Sequence, residues 1–140
     1  MIRYYLCAVF LCALCAGSQA SDDGAARAQF EQGRDSRNAP GTLRDTARAY
    51  TLIRAAALDG YAPAMFTLSN MLEEGEGTAQ DSAQARRWLE AAAGQDYPEA
   101  LQQLALNFRH GTGGYARDQA SADQLLREAE HAMKHRAQER

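Results

Sequence analysis

His131 and His135 stand four residues apart in the run Glu130-His-Ala-Met-Lys-His-Arg-Ala-Gln-Glu139. On a helix that spacing puts two imidazoles on one face, where they can share a metal ion. No Glu follows His131, and no third ligand is marked. A solvated helix end, where charged imidazoles interact favourably with the dipole, accounts for the pair. Glu73-Glu74 offers two adjacent carboxylates for acid and base work, but they fall just before a glycine break, where solvent keeps both ionised. None of Ser21, Ser36, Ser69, Ser82 and Ser121 has the Gly-x-Ser-x-Gly setting of an exposed nucleophile. Gly111-Thr-Gly-Gly114 lacks the preceding strand and the lysine of a phosphate-binding loop and reads as a turn between helices. The sequence therefore assigns no catalytic, cofactor-binding or metal-ligating residue and no cofactor, and the chain is not read as an enzyme. An enzyme of unknown reaction is kept as a third functional reading.

The amino terminus reads as an export signal. Arg3 supplies the positive charge, Leu6 to Ala16 is almost wholly apolar, and Ser18-Gln-Ala20 places small residues where a signal peptidase cuts. The apolar run falls short of the roughly 20 residues needed to span a bilayer. Residues 1–20 are thus expected to be removed, leaving no integral membrane segment and a periplasmic or secreted chain. Neither Cys12 nor Cys15 has the small residue that precedes a lipidated cysteine. Cys7, Cys12 and Cys15 all lie in the leader, so the mature chain is expected to carry neither a disulfide nor a thiolate nucleophile. The formal charge of −3 becomes −4 when Arg3 is lost. Basic residues concentrate only at Lys134-His-Arg136 and Arg140, which excludes the basic stripe of a nucleic-acid binder.

From Tyr61 to Met133 one motif is written twice. Ala64, Leu68, Gly75 and Gly77 recur 36 residues later as Ala100, Leu104, Gly111 and Gly113. Each copy holds two short helices. The first helix of the central copy runs over 62–74 with Pro63 in its opening turn, where a missing amide hydrogen costs nothing. The second starts behind Asp81, a carboxylate cap with Gln84 as the reciprocal capping-box residue, and carries Ala85, Trp88, Leu89, Ala92 and Ala93. Trp88, the single tryptophan, is expected in the core. The next copy spans 98–110, breaks at the glycine turn with one added residue, and restarts behind Asp118. Upstream, Ala49, Leu52, Ile53 and Ala56 form the apolar face of a helix closed by Asp59-Gly60. Residues 21–44 show only a weak helix over 25–35.

These residues resemble the Sel-one-like repeat, an α-solenoid relative of the tetratricopeptide repeat. Ala62, Ala64, Leu68, Leu72, Gly75, Gly77, Asp81, Ala85, Trp88, Leu89, Ala92 and Ala93 carry the motif. Ala100, Leu104, Phe108, Gly111, Gly113, Asp118, Ala122, Leu125 and Ala129 carry it again. The family's glycine after the first-helix leucine is Ser69 and Ala105 here, its aliphatic residue after Gly-x-Gly is Thr78 and Tyr115, and its tryptophan is Leu52 and Leu125 in the flanking copies. The expected fold is an all-α, right-handed superhelix of about two and a half repeats over 45–140. Residues 45–60 give the second helix of a partial repeat, 61–97 a repeat, and 98–140 a repeat with a polar carboxyl-terminal cap, as a terminal unit without a further neighbour requires.

The resemblance implies an adaptor or scaffold that holds another protein on its concave face, with an immunity protein neutralising a periplasm-active toxin as the alternative. On such a solenoid the first helices line the inner surface. The residues expected there are Met65, Asn70, Glu73 and Glu74 in one repeat and Leu101, Leu106, Arg109 and His110 in the next, with Met65 and Leu101 either apolar anchors or packing residues.

Overall fold

The computed structural model describes residues 16–138. Residues 1–15, with the three cysteines and most of the expected leader, lie outside the described residues, as do 139–140. Within the described part six helices follow one another without a strand: α1 (Ala16–Asn38), α2 (Thr46–Leu58), α3 (Ala62–Glu74), α4 (Ser82–Ala93), α5 (Pro98–His110) and α6 (Gln119–Gln138). A single 3-10 turn, Gly41–Leu43, lies between α1 and α2. The pairs α1–α2, α3–α4 and α5–α6 pack within themselves, and α2–α3 and α4–α5 join one pair to the next. This is an all-α solenoid. No described helix is long and apolar enough to cross a membrane.

The second helices start where the sequence places carboxylates. Asp45 accepts from the Arg48 amide at 2.8 Å, Asp81 from the Gln84 amide at 2.9 Å, and Asp118 from the Ala120 amide at 3.0 Å. Each satisfies a backbone donor that the first helical turn leaves free. The Asp81 box is not reciprocal as expected. Gln84 donates its side-chain amide to Asp81 Oδ2 at 2.8 Å, while the Asp81 backbone amide is already committed to the Leu72 carbonyl at 2.9 Å. That long bond ties the start of α4 to the end of α3.

The array holds three helix pairs rather than two and a half, because α1 is the missing first helix. Two contacts recur with the 36-residue period and fix its register. The Asp45 amide donates to Ser36 as the Asp81 amide does to Leu72. Phe30 meets Tyr61 with ring centroids 5.4 Å apart, as Phe66 meets Tyr97 at 5.7 Å. The third pair has no rings at these positions, which hold Gln102 and Lys134, and Gln102 donates instead to the Met133 sulfur at 3.8 Å. Gly33 occupies the register position of Ser69 and Ala105. A Cβ there would lie 2.7 Å from Ile53 Cγ1, so the bare backbone lets α1 settle onto α2.

One continuous core runs through the pairs, and its largest fully enclosed side chains are Ile53, Leu68, Met71 and Leu72. Trp88, expected inside, is only partly buried and packs against the edge of this core, as does Leu125 at the same register, and Leu52, their counterpart, is likewise only partly buried. The tryptophan position is thus a flank of the second helix, and Ala85, Leu89, Ala92 and Ala93 form its enclosed stripe.

An ionic clamp joins the first two repeats. Glu76, in the turn after α3, receives Arg37 Nη2 at 2.6 Å on Oε2 and Arg44 Nη2 at 2.6 Å on Oε1, with its own side chain 12% exposed. The Arg37 hydrogen bond, aided by that from Arg44, outweighs burial and holds the carboxyl below its ordinary range. Glu76→Gln is expected to lower stability at neutral pH by about 1–3 kcal/mol, because two guanidinium groups lose their acceptor. The sign with pH follows from the lowered value. The contribution is complete above the unfolded-state value near 4.5 and is lost as pH falls through the folded-state value, so the gap between wild type and Glu76→Gln closes on acidification. Urea midpoints of both proteins from pH 7 to pH 3 measure it, and a gap that widens on acidification would contradict the clamp.

Candidate interaction surface along the first helices

The expected surface residues divide by which side of the first helices they occupy. Met65 is 8% exposed and Leu101 2% exposed, so neither is a free apolar anchor. Each directly follows the innermost alanine of its helix, Ala64 or Ala100, and belongs to the stripe that meets the neighbouring helices. Met65 also receives the Gln95 amide on its sulfur at 3.5 Å. Arg109 is turned toward α6, where its guanidinium reaches Asp123 at 3.5 Å. Glu74 is exposed and lies 3.9 Å from Arg37 of α1. His110 is exposed at the end of α5, and Leu106 keeps 43% of its surface in solvent.

Asn70 and Glu73 do meet other polar groups. Together with Gln103 and Asn107 of α5 and Arg86 of α4 they line a groove of about 270 Å³ closed at one end by the turn 112–115. Asn107 organises its floor. The side-chain oxygen accepts from Gln103 at 3.2 Å and from Thr112 at 3.2 Å, and its backbone carbonyl accepts the Gly111 amide at 2.8 Å. Met71, its counterpart one repeat earlier, is fully enclosed. Replacing that core thioether by an amide turns the wall of the third repeat into a polar surface.

Tyr115 latches the turn onto α4. Its hydroxyl donates to Glu90 at 2.9 Å, its ring packs at a tilt against Phe108 with centroids 4.9 Å apart, and the Arg86 guanidinium lies 5.1 Å above it while donating to the Gly114 carbonyl at 3.1 Å. Burial first, then the bond to Glu90, pushes the phenol above its ordinary value, so it remains a donor at any physiological pH. Arg86, Gln103, Asn107 and Tyr115 were not among the residues expected on this surface. The sequence did hold a signal for two of them: Asn107 breaks the apolar register, and Tyr115 stands where the repeat has an aliphatic residue.

The groove presents amide donors and acceptors, one carboxylate and one guanidinium. Such a lining suits hydrogen bonding to an extended backbone or to polar side chains, and Leu106, in register with Asn70, adds an exposed apolar contact on the same helix face. Among the described residues no group of three or more His, Cys, Asp or Glu side chains is gathered to enclose a metal ion.

Neither a family profile nor a curated protein sequence matches the chain. Solved structures do. A Sel1 repeat protein from Oxalobacter formigenes superposes with a TM-score of 0.71 at 22% identity, over 79% of this chain and 44% of its own. The protective antigen c5321 of uropathogenic Escherichia coli strains, which displays the same repeat fold, superposes with a TM-score of 0.68 at 28% identity, over 80% of this chain and 24% of its own. The chain thus spans less than half the length of either structure. Its three stacked pairs, the 36-residue register and the two motif-bearing copies accord with these neighbours and give the chain the Sel-one-like repeat fold, an all-α solenoid.

Proposed function

We propose that this chain is an exported adaptor that holds a segment of another protein along its first-helix face. The observation that supports this most is the groove lined by Asn70, Glu73, Gln103 and Asn107, polar where the repeat would ordinarily be filled, and flanked by the exposed Leu106. A solenoid has its core between neighbouring helices, which leaves such a surface free for a partner. Export rests on the leader pattern of residues 1–20, and a partner in the bacterial envelope follows from it.

Cross-linked capture from an envelope fraction with the leaderless protein identifies the partner, and its affinity is then compared across variants. Asn70→Ala, Glu73→Ala and Leu106→Ala are each expected to weaken binding, the strongest by about tenfold or more. Unchanged affinity in all three would move the partner off this face. Leu101→Ala is unsuitable for the purpose, since that side chain is enclosed and its loss reports on folding. One partner held tightly at one to one and losing a toxic activity on binding would turn the reading toward an immunity protein. Several envelope components would favour the scaffold, and turnover abolished by a single His or carboxylate change would mark an enzyme.

A further inference from the structure

The carboxyl-terminal half of α6 closes a second groove, of about 690 Å³, against the α4–α5 turn, and His131 and His135 both line it. The two imidazoles are exposed on adjacent turns, their ring centroids 4.4 Å apart and their Nε2 atoms 3.1 Å apart. That distance is informative. Metal bonds to imidazole nitrogen are about 2.0–2.1 Å long, so nitrogens at this separation subtend about 98° at a shared ion, between the right angle of octahedral or square-planar sites and the wider tetrahedral angle. We propose that His131 and His135 form a bidentate site for a divalent transition-metal ion of the nickel, copper and zinc group, with the remaining coordination positions open to the groove.

The surroundings carry charge of both signs. Glu128 lies one turn before His131 in the same wall, and Asp96 projects from the opposite turn. Two guanidinium groups also line the groove: Arg127, one turn before His131, and Arg136, which is engaged 2.9 Å from Glu99 and 5.9 Å from the centre of the Tyr97 ring. Imidazole suits this group of metals better than calcium or magnesium, which take oxygen ligands. Two nitrogens on one rigid helix are presented together, so the second binds at a high effective concentration once the first is bound. With water or an incoming donor completing the shell, the site is open. It lies at the end of the array, apart from the groove of Asn70 and Asn107, and does not depend on what that groove holds.

Titration calorimetry of the tag-free chain with nickel chloride tests the site. One saturable ion per chain is expected in the wild type and in His110→Ala, with affinity at least about tenfold lower in His131→Ala and in His135→Gln. Circular dichroism of the variants should be unchanged, because both rings are exposed. In the copper-loaded chain, electron paramagnetic resonance should show coupling to two imidazole nitrogens, reduced to one in either variant. Absence of saturable binding by the wild type up to about 1 mM nickel, or equal affinity in a protein lacking both histidines, would overturn the proposal.

Discussion

Gly77→Ala is expected to destabilise the protein by about 2–5 kcal/mol, a large loss for a methyl group on a surface turn. Two costs add. Gly77 sits at φ 72°, a left-handed conformation that an L side chain adopts at about 1–2 kcal/mol. In addition, a Cβ would overlap the carbonyl oxygen of Thr46 and lie 2.6 Å from its carbon, which is backbone at the first residue of α2 and cannot rotate away. Overfilling a packed contact of this kind costs about 1–3 kcal/mol more. The turn after α3 therefore rests directly on the preceding pair, beside the Glu76 clamp. Gly113, the same residue one repeat on, is the control. It also has positive φ, at 63°, but its Cβ would meet the Asn107 side-chain amide, which can move. Gly113→Ala is expected to cost about 1–2 kcal/mol. Urea midpoints of the two variants measure the difference, and equal losses would mean that the approach to Thr46 contributes nothing.

That contrast also shows what the sequence could and could not disclose. The periodic alanines and leucines, the Asp caps and the Gly-x-Gly turns each follow from local rules, and α2 to α6 lie where those rules put them. The first helix did not read clearly because, among the described residues, no helix covers its outer side. At the positions of Ala64 and Leu68 it carries Ala28 and Gln32, both exposed, so the apolar stripe fades although the fold continues. What remains is a set of contacts between positions, Phe30 with Tyr61 and Gly33 against Ile53, whose meaning depends on knowing that they touch. The surface was legible in half. Asn70 and Glu73 follow from helix periodicity, whereas Met65 and Leu101 required knowing how wide a stripe two flanking helices cover. The single inserted residue near Gly113 and Gly114 is visible as a change of spacing, but its effect is tertiary: it carries the Tyr115 ring to α4, where Glu90 and Arg86 receive it.

Leu68→Ala is expected to fall toward the upper end of the range of about 2–5 kcal/mol seen when a buried leucine is truncated, and to exceed Leu104→Ala at the equivalent position. Leu68 is fully enclosed in α3, whereas Leu104 in α5 retains 8% exposure. The array supplies a second reason. Stability in a solenoid is approximately a sum of repeat and nearest-neighbour terms, and three repeats are near the smallest number that folds independently. A cavity in the central pair weakens the junctions to both neighbours at once. One in the last pair weakens only the junction before it, because nothing described follows α6. The two variants, compared by urea unfolding at neutral pH with helicity as the signal, should rank with Leu68→Ala the less stable. If Leu104→Ala were the more damaging, the third repeat rather than the second would be the keystone of the array, and the polar groove that α5 shares with α3 would sit on its most rigid part rather than on its outer third.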